Sequence, residues 1–125
     1  MLATTAIVLA WLVGVAVVAM GVNNLLRPQV LAGFGIPGTQ ADDPVLRAWL
    51  AVKAGRDIGS GLMLVVAVAL GTTTLAGWVM LAAVVMPVCD TLVVLRAKGP
   101  RAAAYGVHCS TAAAMAVIGV LLLLA

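Results

Sequence analysis

Residues 4–26 read TTAIVLAWLVGVAVVAMGVNNLL, with no charge until Arg27 and a stop at Pro28. A hydrocarbon core of about 30 Å needs about 20 apolar residues in helical form, and this stretch supplies them. The rest of the chain follows suit. Of its 125 residues, 65% are apolar and 9% charged, and the mean hydropathy is +1.24. A soluble domain carries about a quarter of its residues as charges, so a water-exposed globule is excluded. Disorder is excluded as well, because disordered chains are poor in the Val, Leu and Ala that dominate here. The expected class is an all-α polytopic membrane four-helix bundle, a single domain over 1–125.

Turn signals divide the remainder into three further spans. Asp43-Pro44 offers an N-cap acceptor and a proline at the first helical position, which predicts a helix over 44–70 with Gly71 behind it. Thr72 to Thr74 restart the chain for a span over 73–95, and Gly99-Pro100 opens the last, over 100–124. Met1 to Ala6 carry no basic side chain and the first apolar run is too long for a cleaved leader. The 28–43 segment sets Val30, Leu31, Phe34 and Ile36 among glycines and prolines. It reads as an interfacial connector settled in the headgroup region, with a lid as the second reading.

Lys and Arg fix the expected orientation in the cell membrane. Arg27, Arg47, Arg96, Lys98 and Arg101 cluster at the two long connections, whereas the termini and the Gly71 turn carry none, so both termini are expected to face outward. The net charge of +3 is used up by this asymmetry and by anionic headgroups, and no nucleic-acid partner is expected. Trp11 and Trp78, with Trp49 and Tyr105 at the other end, suit the two interfaces.

Polar residues inside the spans mark the candidate site. Lys53, Arg56, Asp57 and Ser60 recur at i, i+3, i+4 and i+7 and form one helical stripe. At 1.5 Å per residue, Asp57 lies about 15–20 Å deep, while Asp90 and His108 lie about 8 Å inside the cytoplasmic end. Asn24 closes the inner end of the first helix, and Tyr105 stands near His108. Ionisable groups in hydrocarbon cost several kcal/mol unless paired or wetted, so these should converge. Asp57, Asp90 and His108 are the candidate catalytic groups; Arg56, Lys53, Asn24, Ser60 and Tyr105 are the candidate ligand contacts. Blander roles stand beside these. Lys53 can snorkel, Arg56 with Asp57 can set helix register, and Asp90 with His108 can form a satisfied pair. Pro87 frees a carbonyl one turn before Asp90 and predicts a bend there.

Cys89 adjoins Asp90 and Cys109 adjoins His108, but neighbouring helical residues diverge by about 100° and cannot share one ion. No metal and no cofactor are expected, and both thiols should pack between helices. Gly55 and Gly59, with Gly61 added, form a small-residue face suited to a close helix neighbour, including a second copy of the chain.

The order Arg27-Pro28, Gly33-Phe34-Gly35, Lys53-Ala-Gly-Arg56-Asp57 with Gly61, Pro87-Val-Cys-Asp90 and Gly106-Val-His108 resembles the four-helix membrane family designated domain of unknown function 4267. The resemblance spans nearly the whole chain and implies a membrane protein without a settled activity. Three functions fit the residues. The first is a site that binds or transforms a small lipophilic molecule, such as an isoprenoid or polyketide, by acid/base chemistry; an enzyme of this kind would be a cofactor-independent isomerase or cyclase. The second is a small proton-coupled exporter. The third is a non-catalytic subunit or scaffold.

Overall fold

The computed structural model describes residues 1–40 and 42–125; Ala41, within the expected 28–43 loop, lies outside the described residues. The elements are α1 (Leu2–Leu26), a 3₁₀ segment (Pro28–Phe34), α2 (Pro44–Leu70), α3 (Thr73–Ala83), α4 (Val85–Arg96), α5 (Arg101–Ala103), a π segment (Ala104–Cys109) and α6 (Ser110–Leu123). There is no strand among the described residues.

Three helical rods are long and apolar enough to cross a membrane: Leu2–Leu26, Thr73–Arg96 and Arg101–Leu123. α2 is longer, at 27 residues or about 40 Å, but every 18-residue stretch of it contains Lys53, Arg56 and Asp57. Its charge separates it from the other three.

Local chemistry explains the ends. Asp43 caps α2 through Oδ1, which accepts from the backbone N–H groups of Val45 at 2.7 Å and Leu46 at 3.1 Å. Thr72 caps α3 by accepting from Leu75 at 3.1 Å. α3 and α4 meet at Val84, four residues before Val88 and three before Pro87. Pro87 has no N–H to give the Ala83 carbonyl and its ring presses on it, which interrupts the rod at the turn the proline disturbs. α4 ends in a Schellman turn, with Gly99 N–H donating to Val94 and Lys98 N–H to Leu95, and Lys98 takes the left-handed position at φ 57°.

Packing is organised around glycines, and here one expectation is corrected. A Cβ on Gly61 would lie 2.8 Å from the Val18 nitrogen and 2.9 Å from the Gly14 oxygen, so Gly61 seats α2 directly on α1. Gly55 and Gly59 meet nothing within 4 Å. Gly61 lies too far around the helix from them to share their face, since six residues from Gly55 turn it by about 240° from that position. Gly77 and Gly119 bring α3 and α6 together in the same manner, each against the other's carbonyl oxygen. The two close pairs share a core of Ala6, Ala10, Leu64, Ala76, Met80, Met115, Ile118 and Leu122. That core lies toward the end of the molecule carrying the chain termini and the Gly71 turn. α1 contacts both α2 and α6, and α2 contacts α3, whereas α4 leans on the π segment. The pairs therefore stand apart toward the opposite end, where a cavity opens.

The 28–43 segment is more structured than a connector. Pro28 starts a 3₁₀ turn, Leu31 is buried, and Gly35 takes φ 104°, a conformation that side chains resist. A Cβ at Gly35 would strike Ala103 and Val94, and Gly99 packs on the Gly35 carbonyl. The segment is thereby pinned to the turn between α4 and α5.

Candidate functional site

The cavity holds about 130 Å³ and draws its walls from every long rod. α1 supplies Asn24 and Met20, α2 supplies Lys53, Asp57, Ser60 and Leu64, α4 supplies Met86 and Asp90, and the last rod supplies Val107, His108, Thr111 and Met115. Apolar side chains make most of the wall, and its ionisable groups come from α2, α4 and the π segment.

The tightest contact joins Lys53 Nζ to Asp57 Oδ2 at 2.7 Å, with the two side chains 28% and 14% exposed. The i, i+4 spacing places them one above the other on α2. Ser60 is buried one turn further on and donates to the Asp57 carbonyl at 2.9 Å. Asn24 is buried at the end of α1. On the far side, His108 Nδ1 stands 3.9 Å from Asp90 Oδ2, a separation for charge attraction but not for a hydrogen bond. His108 Nε2 lies 2.9 Å from the Phe34 carbonyl oxygen. A carbonyl only accepts, so Nε2 carries the hydrogen and donates it, which leaves Nδ1 turned to Asp90.

Six of the eight candidate residues thus line one cavity: Lys53, Asp57, Ser60, Asn24, Asp90 and His108. Arg56 and Tyr105 do not. Both are exposed on the outer surface, Tyr105 by 54%. The buried face of α2 runs through Ala54, Ser60, Gly61 and Leu64, and Asp57 sits on it; Arg56 is about 100° from Asp57 and falls off its edge. The same divergence corrects the cysteines. Because Asp90 and His108 point inward, Cys89 and Cys109 point out, and both are exposed rather than packed between helices.

Phe34 is the residue that sequence reasoning did not place in the site. Its ring lies 4.5 Å from the His108 ring, tilted by 50°, and Lys53 Nζ stands 5.1 Å from its centroid. The 3₁₀ segment therefore carries both a ring and a carbonyl into the cavity. The one signal was compositional: Phe34 is the sole phenylalanine of the chain and stands between Gly33 and Gly35. The π segment was also unannounced. The Ser110 N–H reaches back five residues to the Tyr105 carbonyl, and His108 sits within this widened turn.

Met20, Met86, Val107 and Thr111 line the cavity yet are exposed, the first three by 46%, 38% and 55%, so part of its wall faces the outside through two flexible thioethers, a valine and a threonine. Chemically, the arrangement offers one neutralised ion pair, one carboxylate beside an imidazole, an amide and hydroxyls, within a largely apolar wall.

The family model described as "Domain of unknown function (DUF4267)" matches residues 14–122. No curated protein and no solved structure matches the chain.

Proposed function

The chain belongs to the DUF4267 family, and from its cavity we propose that it is a four-span integral membrane protein whose intramembrane polar site binds or transforms a small lipophilic molecule by acid/base chemistry. The observation that carries this is the convergence of Lys53–Asp57, Asp90 and His108 on one largely apolar cavity. Holding rods together requires fewer ionisable groups than this, and each costs several kcal/mol in hydrocarbon without a partner.

In this reading α2 is the fourth crossing. Its charges at Lys53 and Asp57 neutralise each other inside the cavity, and Arg56 lies about 10 Å beyond Trp49 at the interface, within reach of a snorkelling guanidinium. The ends bearing Arg27, Arg47, Arg96, Lys98 and Arg101 face the cytoplasm, the termini face out, and the membrane is the cell membrane. Asp90 and His108 are the acid/base pair: with Nε2–H held by Phe34, a proton passes between a ligand, Asp90 and Nδ1 without moving the ring. Proton relocation, cyclisation or isomerisation is the chemistry these groups supply by themselves. The open face at Gly55 and Gly59 is where a second copy associates.

The test is mass spectrometry of small molecules retained by the protein in mild detergent, compared with Asp57→Asn and Asp90→Asn at matched folding. A lipophilic compound held by the wild type and lost in both variants is the expected result. Retention of bulk lipid alone, identical in all three, refutes the site.

A further inference from the structure

One carboxylate of the cavity lacks a hydrogen-bonded cation, and that selects a ligand. Four titratable side chains line it: Lys53 and Asp57 from α2, Asp90 from α4 and His108 from the π segment. Lys53 is committed twice, to Asp57 at 2.7 Å and to the Phe34 ring at 5.1 Å. His108 is committed to the Phe34 carbonyl through Nε2 and presents Nδ1 to Asp90 from 3.9 Å. At that separation the imidazole makes no hydrogen bond to the carboxylate. Among the described residues no Lys or Arg lies within ion-pair distance of Asp90, and its side chain is 32% exposed. Thr91, the next residue, is turned back to the Pro87 carbonyl, and α1 contributes only the neutral amide of Asn24.

Lys53 and Asp57 take each other up, so Asp90 is left, among the described residues, as the carboxylate of the cavity without a hydrogen-bonded cation. An anionic ligand meets Asp90 head on. A neutral ligand leaves a carboxylate unpaired in an apolar enclosure, the costly condition. A cation removes it. The size points the same way, since about 130 Å³ is close to the volume that admits one benzene ring. The exposed Met20, Met86 and Val107 in its wall suit an apolar remainder lying toward the lipid side.

We propose that the cavity takes a lipophilic organic cation with a ring-sized head, its nitrogen set against Asp90 and its apolar part leaving between Met20, Met86 and Val107. This rests on the ligand-site reading above and adds the sign of the ligand's charge.

Three probes of one shape decide it: benzylammonium, benzyl alcohol and phenylacetate, measured by equilibrium dialysis against the full chain in phosphatidylcholine nanodiscs at neutral pH, with empty discs subtracted. The ammonium is expected to bind at least about tenfold tighter than the alcohol, with phenylacetate weakest, and Asp90→Asn to erase that preference while sparing the alcohol. The wild-type ratio stands by itself if Asp90→Asn does not fold. Alcohol bound as tightly as ammonium, and displaced in Ser60→Trp, overturns the cationic ligand and leaves the ligand site standing. No binding of any probe above empty discs, unchanged in Ser60→Trp, overturns the site and the cation with it.

Discussion

Replacing Phe34 by alanine should loosen the 3₁₀ segment while leaving the rods intact. The side chain makes two directional contacts, a tilted ring pair with His108 at 4.5 Å and a cation–π contact with Lys53 at 5.1 Å. An aromatic pair contributes about 0.5–1.5 kcal/mol and a partly exposed cation–π contact about 0.5–1 kcal/mol, so their joint loss is about 1–2.5 kcal/mol. The Phe34 carbonyl survives the substitution, as does the seat of Gly35 on Ala103, so the segment stays docked but opens more often. Local opening accelerates amide exchange by the Boltzmann factor of that loss, about 5- to 70-fold for the amides of Val30 to Gly35. Hydrogen exchange read by mass spectrometry in nanodiscs measures it, with α1 and α2 peptides as internal controls. His108→Ala removes the ring contact and the Nε2–H donor together, and should add a further factor of about ten. Unchanged exchange in the segment, or acceleration spread equally over α2, would refute the account of how the segment is held.

Three further outcomes follow from the packing. Lys53→Met or Asp57→Leu alone should each cost about 2 kcal/mol, less than a fully buried pair, and the double change Lys53→Met with Asp57→Leu should recover most of it; additivity in a thermal unfolding cycle would sink this. Gly61→Leu should lower stability by about 1–3 kcal/mol because its Cβ meets the α1 backbone, whereas Gly59→Leu, which meets nothing, should be neutral or gain up to about 1 kcal/mol in the monomer. Equal melting shifts for the two glycines would contradict that assignment. Lys98→Gly should raise stability by about 0.5–1 kcal/mol through relief of the left-handed backbone, and a drop in melting temperature would argue against it.

What the sequence discloses is what local chemistry determines. Asp43-Pro44 announces a helix start because cap and proline act within three residues, and the structure begins α2 at Pro44 with Asp43 as its cap. Lys53 and Asp57 meet because a helix turn is a local rule. Arg56 shows the limit of that rule: an i+3 residue stands on the edge of a stripe, and only the partner helix decides which edge is covered. Gly61 was grouped with Gly55 and Gly59 by composition, although α1 chooses a different face of α2. Phe34 and His108 are 74 residues apart, and no period or cap links them. The widened turn at Ala104–Cys109 leaves no compositional trace.

That turn sets the phase of the last rod. In regular α-helix Ala103 and His108, five residues apart, would stand about 140° apart around the axis. The wider turn at Ala104–Cys109 closes most of that angle, so Ala103 meets Gly35 while His108 meets the Phe34 carbonyl. Removing one residue from the turn would leave the two four residues apart, about 40° around an ordinary α-helix, whereas rewinding the turn at full length would swing Arg101–Ala103 away from Gly35 by about 100°. The extra residue is absorbed like slack in a coil, and the two ends of the rod keep their alignment.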